Sequence, residues 1–247
     1  MKDQKIEFFP VSNICMFPPT TAAKIVPEWY KQLPGYIGGK KLRTHETQQN
    51  GDGLSTIKKC MPVLDAIVSG YIFYTQADVW LSNTLVNENN EIVEGKGWEF
   101  PIQDEHYKPL SYHNKKQLEG HPALQSEKHI ALKFENTWAI KTPQGYSTLF
   151  LNLLHRENNI FKIFEGIVDT DTYHGPINFP FVLIDPEWEG LIPAGTPVAQ
   201  IIPVKRNSWE MQITEGVPNW RKYIDAALHS SWWSGYKNRF WNRKEYR

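Results

Sequence analysis

From Gly70 onward the chain is a succession of short apolar runs separated by turn residues, the pattern of strands and not of helices. Residues 71–74 (YIFY), 78–81 and 85–86 read as strands, closing at Asn89-Asn90 as a hairpin turn. Further strands are predicted over 130–134, 139–141, 146–153, 161–168, 177–184 and 198–204, with Pro143-Gln144-Gly145 and Glu157-Asn158-Asn159 as two of the turns between them. They follow one another too closely for βαβ units, so the pattern predicts a mainly β fold, an antiparallel sandwich or barrel.

The first part of the chain is less regular. Residues 6–10 read as a strand, Pro18-Pro19 enforces extension, and 25–33 read as a short helix with Pro27 in its first turn. A glycine-rich loop is expected over 34–56, and one or two helical turns over 60–68, where Met61, Leu64, Ala66, Ile67 and Val68 do not alternate. Residues 96–128, rich in His, Lys, Gln and Pro, read as an insertion lying over the sheet. Trp220, Tyr223, Ile224, Ala227 and Leu228 recur at helical spacing, which predicts an amphipathic helix over 218–230. The expected organisation is one β-rich domain over 1–230, its core spanning 69–204, followed by an aromatic and basic arm over 231–247.

Composition sharpens this picture in three places. The chain has 247 residues and no Gly/Ser or Pro linker, which favours one cooperative body. Ten Trp and 13% aromatic residues are an unusually rich supply of ring surface, which belongs to a core, a binding surface, or both. Lys and Arg number 27, as do Asp and Glu, so no net field draws nucleic acid or an anionic membrane to the whole molecule. Only a local patch, such as the arm, is suited to nucleic acid. The N-terminus MKDQKIEFFP lacks the apolar stretch of a signal peptide, and no run reaches the roughly 20 apolar residues of a membrane span. A cytoplasmic protein without membrane association is expected. Cys15 and Cys60 read as buried thiols, neither bridged nor ligating zinc.

Candidate chemistry concentrates between Gly166 and Val204. A polar turn carries Asp169, Asp171, Tyr173, His174 and Gly175, and a second turn, Pro193-Ala194-Gly195-Thr196-Pro197, leads into an alternating strand containing Gln200. Read from the residues alone, the D-T-D step is equally suited to capping a turn with Asp side chains or to presenting two carboxylates to a ligand. Four scattered histidines, His106, His113, His121 and His129, have no metal-ligand spacing and read as surface residues. No G-x-S-x-G elbow, P-loop or dinucleotide glycine pattern occurs.

The stretch from Gly166 to Val204 resembles the third and fourth motifs of the dUTPase and dCTP-deaminase family, a G-V-I-D-x-D-Y-R-G loop followed by a G-x-x-I-A-Q-L strand. The resemblance implies a dUTPase-like β-clip core, a homotrimer, Asp169 as the water-activating carboxylate, Tyr173 as the aromatic packing on the deoxyribose and Gly175 as the turn glycine, with Thr172 inserted. In the fourth match Gly195, Ala199 and Gln200 are kept and Pro197 replaces an arginine. Residues 69–73 (SGYIF) occupy the place of the first motif, with Ile72 where the family has an aspartate. Residues 143–147 (PQGYS) resemble the second, with Gln144 for arginine and Ser147 kept. The fifth, a glycine-rich C-terminal arm, has no counterpart. A degenerate site is therefore expected, with Asp171, Tyr173, His174, Gly175, Gln200, Gln144 and Ser147 around a nucleotide-like ligand, Asp169 as the one catalytic candidate, and no cofactor, magnesium entering only if pyrophosphatase activity survives. A non-enzymatic structural or host-interaction role is the rival reading. The order of segments also resembles a protein family common in large tailed bacteriophages and some bacteria.

The tail 231–247 interleaves Trp232, Trp233, Tyr236, Phe240, Trp241 and Tyr246 with Lys237, Arg239, Arg243, Lys244 and Arg247. Burying a large aromatic side chain stabilises by roughly 1.5 to 3 kcal/mol. The arm is therefore expected to be ordered and to pack, on its own subunit or a neighbour.

Overall fold

A computed structural model describes residues 4–39, 53–86, 89, 91–101, 107–124, 128–213 and 235–247. The chain divides into two compact units, 1–20 with 70–206 and 21–69 with 207–247, where the sequence reading has one body over 1–230 and an arm. The first is mainly antiparallel β, the class expected from the apolar pattern.

Its main sheet is organised around β14 (Pro197–Lys205), paired antiparallel with β3 (Tyr71–Tyr74) on one side and β9 (Tyr146–Leu151) on the other. β11 (Gly166–Val168) lies beyond β9, and β2 (Thr20–Thr21) lies beyond β3. Val198, Ala199, Gln200 and Ile201 are all buried, consecutive residues facing opposite sides of the sheet, so both faces are covered, and Gln200 is the one polar residue in the run. Along β14, β3 reaches only 197–201, so Pro203, whose partner is Thr148 on β9, interrupts no ladder on the β3 side. Gly70 enters β3 with φ 73°, and a Cβ there would lie 1.8 Å from the Ile201 carbonyl oxygen. Only glycine admits this approach of the two strands.

A second sheet runs in the order β10 (Phe161–Ile163), β12 (Phe179–Leu183), β7 (Leu132–Phe134), β6 (Leu110–Tyr112). Phe134 and Phe181 stack at 4.1 Å between ring centroids, and Phe161 meets Phe134 edge-on at 5.0 Å. Phe179 reaches Phe73 of the main sheet at 5.5 Å and Phe150 at 6.0 Å, so the two sheets share one aromatic core. β1 (Glu7–Pro10) pairs with β8 (Trp138–Lys141) and sends Phe8 against Tyr71 and Phe73. The hairpin of β4 (Val79–Val86) and β5 (Ile92–Glu99), with β13 (Gly190–Ile192), forms a third small sheet.

Four expectations are corrected here. Residues 78–86 are one strand with a register shift between Ser82 and Thr84, not two, because the bulge absorbs the break in alternation. Residues 96–128 are not one insertion over a sheet: they supply the end of β5, edge strand β6, and a 3-10 turn at Lys115–Leu118 with an Asn114–Gln117 capping box. Residues 161–168 form two strands in two sheets. The crossing is fastened by the Asn152 side-chain amide, which donates to the Ile163 carbonyl at 3.1 Å and to Glu165 Oε1 at 3.0 Å. Finally, both cysteines are free, but Cys15 is half-buried and Cys60 is exposed at the start of α2.

The second unit carries α1 (Glu28–Gln32), α2 (Met61–Val68), and the arm with α3 (Gly235–Arg239). The arm is fastened to α2 at Asp65, whose two oxygens accept from Trp241 Nε1 at 3.0 and 2.9 Å and whose Oδ2 accepts from Lys244 Nζ at 2.6 Å. The arm is thus packed on its own subunit through Trp241. His106, Trp232, Trp233 and the helix expected over 218–230 lie outside the described residues. No described helix is long and apolar enough to cross a membrane.

Candidate functional site

The register of the main sheet assembles the site. β11 pairs with β9 so that Val168 stands opposite Thr148, and β14 pairs with β9 so that Lys205 stands opposite Tyr146. The turn after β11, the turn before β9 and the residue after β14 therefore meet at one end of the sheet. The Arg206 amide closes this junction by donating to the Gly145 carbonyl at 2.8 Å.

Within the D-T-D step the central residue points inward. Thr170 is fully buried, and its hydroxyl is hydrogen-bonded to the hydroxyls of Thr142 at 2.8 Å and Thr148 at 2.7 Å. This threonine triad fixes the turn and directs its two neighbours to the surface. Asp169 accepts from Ser147 Oγ at 2.6 Å and from Arg206 Nη1 at 3.0 Å. Asp171 accepts from Arg206 Nη1 at 2.9 Å on Oδ1, and on Oδ2 from Arg206 Nη2 and from the Gly145 amide at 2.8 Å. Arg206 also donates to Ser147 Oγ and to the Tyr146 carbonyl, each at 3.1 Å. One guanidinium thus holds two carboxylates through a fork geometry that lysine could not reproduce.

The two aspartates are not equivalent. The Asp171 side chain is 2% exposed and that of Asp169 is 61% exposed. The Arg206 guanidinium, with the Gly145 amide behind it, holds the Asp171 carboxyl down at about 2 from an ordinary 3.8. Its partner, Arg206, is raised in turn by Asp171. Asp171 is the internal anchor of the clamp, and Asp169 is its solvent-facing member.

The remaining sequence candidates separate into three groups. Tyr173 and His174 are exposed on the same loop: the Tyr173 hydroxyl donates to the Pro176 carbonyl at 3.1 Å, and His174 Nε2 donates to the Asp171 carbonyl at 3.1 Å. Gly175 is required by the ring of Tyr173, whose oxygen lies 2.7 Å from where a Cβ would stand. Gln144 is exposed on the turn preceding β9, beside Gly145. Gln200 is elsewhere. It lies opposite Leu151, five strand positions from the Lys205–Tyr146 pair and so about 17 Å away along β14. Its buried carboxamide oxygen accepts from the Leu154 amide at 3.1 Å and from Arg156 at 3.2 Å, bracing that loop. Ile72 is fully buried in β3, opposite Gln200 of β14. Among the described residues, no three His, Cys, Asp or Glu side chains converge as ligands for a metal ion.

Sequence reasoning missed Thr170 and Arg206. The D-T-D alternation, in the turn just beyond β11, was an available hint that the central residue faces inward. Arg206 was not, because its place depends on which of several strands pairs with the last one.

No protein-family model matches the chain, and no curated protein matches it in sequence. Among solved structures it is similar to a mutant dUTPase of Staphylococcus bacteriophage 80alpha solved with dUpNHpp, at 13% identity and a TM-score of 0.34, covering 87% of this chain and 93% of that one. It is also similar to a mutant dUTPase of phage phi11 of S. aureus, at 12% identity and a TM-score of 0.36, covering 86% and 98%. TM-scores at this level leave the fold class to rest on the chain's own antiparallel sheets.

A carboxyl whose value is lower in the folded than in the unfolded chain contributes stability that is complete above the unfolded value and is lost as pH falls toward the folded one. Asp171 therefore predicts a loss of thermal stability between about pH 4 and pH 2. The Asp171→Asn variant should be less stable than wild type at pH 7, and the gap should close as the pH approaches 2. Thermal denaturation followed by circular dichroism at a series of pH values checks this.

Proposed function

We propose that the chain is a nucleotide- or small-ligand-binding protein that does not hydrolyse its ligand, built on a dUTPase-like scaffold and working as a phage-encoded accessory protein in the cytoplasm. The observation that carries this reading is the Arg206 clamp. A general base must present a carboxylate within hydrogen-bond reach of the water it activates. Asp169, in the place that the motif resemblance gives to that base, spends one oxygen on both Ser147 and Arg206. The place of the first-motif aspartate is taken by Ile72, which offers no ligand to a metal. The place of the second-motif arginine is taken by exposed Gln144, and the nearby guanidinium of Arg206 is turned onto carboxylates instead of toward a phosphate. Tyr173 and His174 remain exposed beside the clamp and are suited to packing against a ligand ring.

Two measurements test this reading together. Pyrophosphate release from deoxynucleoside triphosphates with magnesium should equal that of the Asp169→Asn variant; release that Asp169→Asn abolishes would make the protein an active pyrophosphatase. In a thermal-shift screen, a bound nucleotide at a hundred times its dissociation constant should add about 2.7 kcal/mol of stability. No response to any nucleotide would remove the binding half of the proposal.

A second reading, an assembly or host-interaction role, is favoured by one feature. Trp209, Met211 and Ile213 stand at alternate positions after β14 and are 88%, 85% and 80% exposed. Three such side chains in water support a surface that a partner covers, in keeping with the homotrimer implied by the motifs. Under this reading light scattering shows an oligomer for the wild type at micromolar concentration, and Trp209→Ser with Met211→Ser shifts it toward the monomer. A monomeric wild type would rule out the homotrimer.

A further inference from the structure

The second unit contains an open cleft of about 640 Å³, a volume in the range of small-ligand sites. Its floor is one face of α2, where Met61, Leu64 and Val68 recur at helical spacing. Trp241 forms a wall, and its indole is fixed because the nitrogen donates to both oxygens of Asp65. The ring is thus oriented before any ligand arrives, and a ligand that stacks on it does not have to order it.

The rim is basic. Lys237, Arg243, Lys244 and Arg247 line the cleft against two carboxylates, Asp65 and Glu245. Asp65 is satisfied by Trp241 and Lys244. Glu245 is paired with Arg247 at 2.7 Å and with Arg243 at 3.7 Å, and these two arginines hold its carboxyl below the usual range. Lys237 makes no ion pair among the described residues. The cations outnumber the carboxylates, and each of the two arginines keeps most of its side chain in solvent. In a chain with no net charge this excess is local.

An apolar floor and a fixed aromatic wall under a rim of exposed cations fit one chemistry: a flat ring joined to an anionic group. A simple anion would leave the apolar floor unused, and a neutral apolar ligand would leave the rim unused. We propose that the cleft between α2 and the C-terminal arm binds a nucleotide, the base against Trp241 and the phosphate among Lys237, Arg243 and Arg247. This rests on the nucleotide-binding reading above and moves both the base and the phosphate away from the Asp169–Asp171 loop, whose two carboxylates against one guanidinium oppose an anion. The same chemistry is offered by a free nucleotide and by the end of a single strand.

Isothermal titration of the full chain with dAMP, dTMP, inorganic phosphate and a short thymidine strand distinguishes the possibilities. The nucleotides should bind roughly tenfold more tightly than inorganic phosphate, and K237E/R243E should weaken them roughly tenfold or more, as expected on removing charge-assisted contacts. Both substituted side chains are exposed, so the fold is retained, and circular dichroism verifies this. Tighter binding of the strand than of the nucleotides, with the same loss in K237E/R243E, places strand ends in the cleft and supports the site. Nucleotide binding unchanged in K237E/R243E overturns this site and leaves the proposed function standing. Binding of nucleotides no tighter than phosphate overturns the role of Trp241, and no binding of nucleotides to the wild type overturns both.

Discussion

Every feature of the candidate site depends on the antiparallel pairing of β14 with β9. These strands are separated by about fifty residues, yet their register decides that Arg206 leaves the sheet beside Gly145 and opposite the D-T-D turn. Shifting that register by one residue would turn β14 over, exchanging the side chains packed on its two covered faces and carrying the guanidinium away from both carboxylates. The burial of four consecutive β14 residues and the close approach of Gly70 to the Ile201 carbonyl oppose such a slip. The clamp thus inherits its precision from the core and not from the loop that carries it.

This origin explains what was legible in the sequence. The strands themselves were, because runs such as YIFY and VAQII declare burial by composition alone, and the acidic turn was, because few loops combine two aspartates with an aromatic and a glycine. The split of 161–168 between two sheets was not, since Asn152, eleven residues upstream, supplies the hydrogen bond that fastens the crossing. The strand at 92–99 was hidden by two glycines and charged residues on a hairpin edge, where no alternation is needed. Gln200 illustrates the opposite case. A motif-like position in sequence was assigned to the site, whereas the strand length places it about 17 Å from the clamp in a bracing role.

The same arithmetic of charge applies at the two surfaces to opposite effect. Around Arg206 the carboxylates are in excess, and the buried one needs its guanidinium partner because an uncompensated buried charge is costly. Around Trp241 the carboxylates are already engaged and the cations are in excess. An anionic ligand is opposed at the first and favoured at the second. Neither property follows from the total charge, which is zero.

Arg206 occupies the acidic turn in the resting protein, and carboxyl-carbon NMR of the aspartates across an acid titration reads this directly. Asp171 should titrate near 2 in the wild type and move up toward the ordinary carboxylate range in Arg206→Ala. An Asp171 resonance that titrates near 3.8 in the wild type, unchanged by Arg206→Ala, would show that the clamp is not formed.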